Sequence, residues 1–202
     1  MRDALLAARE RGATIQWIVL TSAADGILEA ALALRPIAVC HHGGVGDTLF
    51  RSGKKEAIHD FVKRVHDAGV LAGVSTHSPD HLASYEDAAW ENDFYMTCFY
   101  YMTRTPEEKK KITAEEILGS VFVRSDPQRM VPRIREVKKP CLAYKILAAG
   151  HACQNATAVE RAFAFVYSSI KPIDGVIVGM YPVFSDEVQE DAELARKYGR
   201  PT

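Results

Sequence analysis

A short, nearly continuous apolar segment recurs along the 202-residue chain. Each segment is followed by a loop rich in Gly, Ser or His, and then by a helical period that ends at Gly or Pro. Strands buried on both faces have this composition, and their alternation with helices is typical of a parallel sheet. The pattern therefore predicts an α/β fold. The predicted strands are Thr14–Thr21, Ile37–His41, Val70–Ser75, Phe94–Tyr100, Cys141–Leu147 and Gly175–Met180.

Helices are predicted where apolar residues recur on one helical face. Leu5, Leu6 and Ala8 open the chain on a helix that ends before Gly12. A second stripe consists of Ile58, Phe61, Val62 and Val65 and stops at Gly69. A third consists of Val159, Phe163, Val166 and Ile170, with Asn155 or Thr157 as the N-cap and Pro172 beyond its end.

Consecutive strand–helix pairs fit either a (β/α) barrel of the TIM type or a doubly wound sheet. At roughly 150 residues per domain, we expect residues 1–202 to form a single barrel domain. Six of the eight strand–helix units of such a barrel are visible, so we expect the barrel to be incomplete in this chain. A second copy is then expected to cover its open edge, because unpaired strand amides invite pairing. Residues 102–126 are longer than a usual connection and are either a lid insertion or a segment with a solvated helix face.

Composition excludes several classes of partner. The formal net charge is −1, so no field attracts the chain to nucleic acid. No apolar run reaches the ~20 residues of a membrane span, and Arg9, Glu10 and Arg11 interrupt any secretory signal. As written, the chain is expected to be cytoplasmic and to bind a small-molecule substrate. The four cysteines are predicted to be reduced core thiols.

Reactive side chains gather directly after the predicted strands, where parallel barrels carry their chemistry. His41, His42 and Asp47 follow the second strand, and His77 follows the third. Lys145 interrupts the fifth strand, where burial would lower the pKa of its ammonium and suit it to act as a base or nucleophile. We take His42, His77 and Lys145 as the candidate catalytic residues.

Each candidate also has a structural interpretation. His41 can simply bond a loop carbonyl, and the polar groups around His77 can simply reflect helix capping by Ser78. Lys145 can run under a helix and reach solvent along its aliphatic stem. Three other histidines, in helical segments, are expected to be solvated: His59, His66 and His81.

The sequence resembles the aldo-keto reductase superfamily, and in particular a bacterial side branch of it. The similar segments are His42-Gly43, the run Asp47–Lys54, the stretch Gly73–Pro79, and the tail from Val176 to Ala192. The resemblance covers roughly residues 14–199 in the same order, and it favours the barrel over the doubly wound sheet. Its sharpest element is Gly73–Pro79, which reads Gly-Val-Ser-Thr-His-Ser-Pro.

The resemblance implies an oxidoreductase that uses NADPH or NADH to reduce a small carbonyl or sugar-like substrate. His42 would polarise the carbonyl, Ser75 and Thr76 would hold the nicotinamide carboxamide, and Gly179 would contact the cofactor. The tyrosine and aspartate of the family's active site would belong to strands upstream of Met1. Residues around Met180–Ser185 include no cluster to grip a 2′-phosphate.

Two alternatives stay open at this point. His41, His42, Asp47 and His77 have the donor types of a divalent metal site, which would make the protein a metal-dependent hydrolase, lyase or isomerase with Lys145 as base or clamp. The other alternative is a catalytically inactive barrel that binds a ligand.

Overall fold

The computed structural model describes residues 2–22 and 26–199, and its centre is a parallel sheet. The sheet contains six strands in this part of the chain, which pair in the sequential order β1-β2-β3-β4-β5-β6. The strands are β1 (Ile18–Thr21), β2 (Ala38–His41), β3 (Leu71–Thr76), β4 (Phe94–Cys98), β5 (Cys141–Tyr144) and β6 (Gly175–Ile177). Every pair is parallel. The sheet curls into a half-barrel, which confirms the α/β class and all six strand positions.

Helices follow the strands and cover one face of the sheet. The α-helices of the described residues are α1 (Arg2–Glu10), α2 (Ile27–Leu32), α3 (Gly43–Arg51), α4 (Glu56–Asp67), α5 (Pro79–Asp87), α6 (Pro106–Thr113), α7 (Asp126–Glu136), α8 (Ala156–Ser169) and α9 (Glu187–Tyr198). A 3₁₀ turn spans Ala148–Gly150. The stripe of α4 is fully buried as predicted, and Asn155 is the N-cap of α8. None of these helices is both long and apolar enough to span a bilayer.

The two faces of the sheet have different neighbours. On the helix-covered face, strand residues such as Val39, Val74 and Tyr95 join the main core with the helices. On the other face, a smaller cluster forms around Cys40, Phe94 and Met96. Because side chains alternate along a strand, this division decides which polar residues can meet.

Several predicted strands are too long. The hydrogen-bonded ladder of β1 begins at Ile18 instead of Thr14, and β5 ends at Tyr144 instead of Leu147. The apolar runs continue past the ladder into loops, one exposed at Ile15 (61%) before β1 and one buried at Ile146 (4%) after β5. A run of apolar letters does not distinguish a strand from such a loop.

Two other predictions can be compared with the described residues. Cys40, Cys98 and Cys141 are buried free thiols, whereas Cys153 is exposed in the loop after β5 and is not a core residue. In segment 102–126, helix α6 buries no residue and begins with a capping box. A buried ion pair between Arg104 and Asp126 joins the two ends of that segment.

Candidate functional site

A buried carboxylate, Asp47 on α3, is the centre of the polar cluster. Its side chain is fully inaccessible to solvent and accepts five hydrogen bonds. Oδ1 accepts from Thr76 Oγ1 at 2.6 Å and from His81 Nδ1 at 2.8 Å. Oδ2 accepts from the backbone N of His77 at 3.1 Å, from His77 Nδ1 at 2.9 Å and from Thr103 Oγ1 at 2.8 Å. One side chain thus connects β3, α5 and the start of segment 102–126.

These hydrogen bonds fix the charge of Asp47. Burial alone would raise its pKa, but the hydrogen bonds from His77, His81 and Thr76 outweigh burial and hold the pKa well below the usual range. A carboxylate cannot donate, so each imidazole carries a proton on Nδ1. The Nε2 atom of a neutral His77 is therefore left as an acceptor.

His77 continues the network to the helix-free face of the sheet. Its Nε2 lies 3.1 Å from the hydroxyl of Tyr144, and Ser75 Oγ donates to the same hydroxyl at 3.2 Å. Burial raises the pKa of Tyr144 well above its ordinary value, so the phenol keeps its proton at neutral pH. The hydrogen bonds run from Ser75 through Tyr144 and His77 to Asp47, so a proton at the sheet face can reach the His77 imidazole while Asp47 stays ionised.

Two glycines of α3 allow this close approach. A Cβ at Gly43 would lie 2.8 Å from Ser75 Oγ and 3.1 Å from His77 Cε1. A Cβ at Gly46 would lie 3.3 Å from His41 Nδ1. The glycines after β2 therefore serve the packing of α3 on β3, which brings Asp47 to the site.

Comparison with protein-family models, curated proteins and solved structures finds no match. The similarity to aldo-keto reductases therefore has no support beyond the sequence segments that suggest it.

Of the predicted histidines, only His77 lies in the network. His41 is fully buried on the helix-covered face, with 5.0 Å between the centroids of its ring and that of Phe61. Among residues 2–22 and 26–199, neither of its ring nitrogens has a hydrogen-bond partner. His42 is exposed, and its Nδ1 accepts from the backbone N of Val45 as the N-cap of α3.

Lys145 is not a strand residue. Strand β5 ends at Tyr144, and Lys145 follows in a left-handed turn with φ of 57°. Tyr144, one residue earlier, is the residue on the helix-free face. The half-buried Lys145 lowers the pKa of Cys98, although burial raises the pKa of that thiol to about 12 overall. Tyr144 is the register partner of Cys98, so Lys145 follows at the end of β4, and no hydrogen bond joins it to His77 or His42 among the described residues.

The residues assigned to a nicotinamide do not fit one. Ser75 is fully buried and donates to Tyr144. Thr76 faces the helices and donates to Asp47. Gly179 borders a cavity that is lined by five carboxylates, and their charge would repel the phosphates of NADPH or NADH.

Of the four predicted metal ligands, the structure brings together Asp47 and His77, which share a hydrogen bond, but not His41 and His42. Both oxygens of Asp47 are occupied by hydrogen-bond donors, while His41 and His42 point elsewhere. Across residues 2–22 and 26–199, no group of three or more His, Cys, Asp or Glu side chains is arranged to hold a metal ion. The donor set therefore does not fit a divalent metal.

Sequence reasoning missed three members of the network. His81 was expected to be solvated, but it is only 6% exposed and stacks on Phe50 with 4.0 Å between ring centroids. Tyr144 and Thr103 carried no signal as isolated residues. His77 and His81 are four residues apart across a helix start, and this spacing is the one pattern that could have linked these two histidines.

Proposed function

We propose that the protein is an enzyme that catalyses proton transfer on a small substrate with a carbonyl group. The observation that carries this proposal is the hydrogen-bonded chain Asp47–His77–Tyr144–Ser75 at the carboxyl ends of β3 and β5. The sequential order of the strands has no reversal of the kind found in doubly wound sheets, and it supports a TIM-type (β/α) barrel as the complete architecture.

Tyr144 is the residue proposed to contact the substrate. Its high pKa makes it a donor to a carbonyl oxygen, and His77 Nε2 is placed to take up or return the proton. Asp47 acts as a positioning residue, because it fixes the tautomer of His77 and stabilises the imidazolium that forms on proton uptake. The overall step is enolisation: His77 Nε2 takes the proton from the carbon next to the carbonyl, Tyr144 donates its proton to the carbonyl oxygen, and the His77 imidazolium then returns a proton to Tyr144.

Lys145 is proposed to attract an anionic substrate to this rim. In support, Lys145 directly follows Tyr144, whose register partner is Cys98 at the end of β4. The variant Lys145→Met keeps most of the side-chain volume and removes that charge. We expect it to raise KM for anionic substrates by at least about tenfold, with a smaller change in kcat.

The experiment is hydrogen–deuterium exchange at carbon in D₂O, followed by proton NMR with a panel of 2-oxo acids, ketoses and aldoses. The wild-type protein is expected to exchange the proton next to the carbonyl of at least one compound. Tyr144→Phe should slow that exchange by at least about 100-fold, the usual range for loss of a general acid or base. Tyr181→Phe is the matched control, because Tyr181 is 66% exposed.

Two results would overturn the proposal: no exchange of any panel compound, or equal exchange by wild-type protein and Tyr144→Phe. The same panel is assayed with NADPH and NADH. Oxidation of either cofactor faster than carbon exchange would overturn proton transfer as the overall reaction and would favour the carbonyl reduction that the resemblance implies.

A further inference from the structure

The cavity that Gly179 borders has a volume of about 550 Å³ and lies beyond the ends of β5 and β6, at the N-terminal ends of α8 and α9. Its wall has an apolar part, which includes Leu147, Val159 and Leu194. It also has an acidic part, which consists of Glu160, Glu187, Glu190, Asp191 and Glu193. No Lys, Arg or His is among the described residues that line it.

Asp191 differs from the other carboxylates of this wall. It is only 6% exposed, yet its side chain makes no hydrogen bond or ion pair with any residue in 2–22 or 26–199. The other four carboxylates each have a donor: Lys197 for Glu160, the backbone of Tyr181 for Glu187, Ser185 for Glu190 and Gln189 for Glu193. Because Asp191 lines the cavity and has no donor there, a cation from outside the protein would supply the missing partner.

Asp191 lines the cavity beside Glu187, Glu190 and Cys153. Burial raises the pKa of Asp191, and the charges of Glu187 and Glu190 raise it further. Burial also raises the pKa of Cys153, with additional contributions from Glu187 and Asp191. Cys153 and these carboxylates all line the cavity, so Asp191 is close to groups on both α9 and the loop after β5.

The cavity fits an organic cation better than a metal ion. A metal site needs several donors around one point, and the described residues contain no such group of three. The volume and the apolar wall instead suit a ligand that carries both a charge and a hydrocarbon part. An ammonium group has three donors and would satisfy a lone carboxylate.

We propose that this cavity binds an alkyl diamine or primary alkylamine, with the ammonium group at Asp191 and the hydrocarbon chain against Leu147, Val159 and Leu194. This inference does not depend on the proposed proton-transfer function, because none of the residues that line this cavity belongs to the Asp47 network.

The test is isothermal titration calorimetry of the 202-residue protein with 1,6-diaminohexane. The wild-type protein should bind the diamine, and hexanoate, which carries the opposite charge, should not bind. Asp191→Asn should weaken diamine binding by at least about tenfold, because it removes the buried partner of the ammonium group. Asp60→Asn, an exposed carboxylate on α4, is the matched control and should leave binding unchanged.

Thermal unfolding without ligand distinguishes a lost site from a lost fold. Asp191→Asn removes an unpaired buried charge, so its Tm should equal or exceed that of the wild type. No diamine binding by wild-type protein up to about 10 mM would overturn the inference. It would also be overturned by equal binding in Asp191→Asn, or by Ca²⁺ or Mg²⁺ that binds with the same dependence on Asp191.

Discussion

At the level of single residues, Asp47 shows how a buried charge becomes a structural centre. Its carboxylate accepts hydrogen bonds from Thr76, His77, His81 and Thr103, which belong to three separate parts of the chain. An unpaired charge at this depth would be strongly destabilising, and the five donors replace the water that Asp47 loses on folding. The same contacts orient His77 toward Tyr144, so stability and the proposed chemistry depend on one side chain.

Asp47→Asn is therefore expected to destabilise the protein by about 3 kcal/mol, because the amide turns an NH₂ group toward donors. The folded pKa of Asp47 lies below the unfolded value, so its stabilisation is present above about pH 4 and is lost as the pH falls further. Urea unfolding between pH 7 and pH 3 should show a shallower acid limb in the variant than in the wild type. If Asp47→Asn lowered the free energy of unfolding by less than 1 kcal/mol, as expected for the exposed Asp60→Asn, this would contradict the stabilising role of the Asp47 carboxylate.

Substitution of His41 is expected to raise the free energy of unfolding, whereas substitution of Asp47 lowers it. Both ring nitrogens are buried without a partner, and burial lowers the pKa of His41 from 6.5 to about 4. The unfolded chain therefore binds more protons than the folded protein between these values, and stability falls as the pH drops through this range. His41→Leu should raise the free energy of unfolding by about 2 kcal/mol at pH 5, with a smaller gain at pH 7.5. An equal gain at both pH values would show that packing, and not protonation, is responsible.

At the level of elements, the turn after β5 determines which residue reaches the site. Lys145, Ala148 and Ala149 all adopt left-handed backbone, with φ of 57°, 51° and 52°. Residues with a side chain avoid this region, so the end of β5 carries local strain. The turn stops the strand at Tyr144 and leaves its hydroxyl beside His77 and Ser75.

Ala149→Gly should relieve part of this strain and stabilise the protein by about 1 kcal/mol, because glycine adopts positive φ without a penalty. The matched control is Ala162→Gly in the middle of α8, which should cost about 1 kcal/mol by loss of helix propensity. Chemical denaturation of both variants tests the sign. A destabilised Ala149→Gly protein would show that the turn is held by contacts of the Ala149 methyl group.

At the level of the whole molecule, the described sheet has β1 and β6 at its two edges. On the helix-free face of β1, Ile18 is 37% and Leu20 is 40% exposed. Exposed apolar side chains next to an unpaired strand edge are a feature that folded proteins usually cover.

We therefore expect the 202-residue chain to associate through this edge, in a manner that depends on protein concentration. Sedimentation velocity should show oligomers, and Leu20→Lys should shift the distribution toward monomer, because charge on an edge strand opposes pairing. Leu118→Lys is the control, since Leu118 is 93% exposed but lies in segment 102–126. A wild-type monomer at all concentrations would contradict the expectation.

The sequence by itself determined the alternation of strands and helices and the buried stripe of α4, and it limited the cap of α8 to Asn155 or Thr157. These features are encoded locally, by the spacing of apolar residues and by the residues that stop a helix. Only the tertiary structure decided that Tyr144 and not Lys145 enters the network, and that His81 joins His77 at Asp47. These contacts join residues that are about 30 to 70 positions apart in the chain, and they depend on where a strand ends and how a helix packs on it. Apart from the four-residue spacing of the two histidines, no local pattern carries that information, because a one-residue shift in the register of β5 would exchange the faces of its side chains.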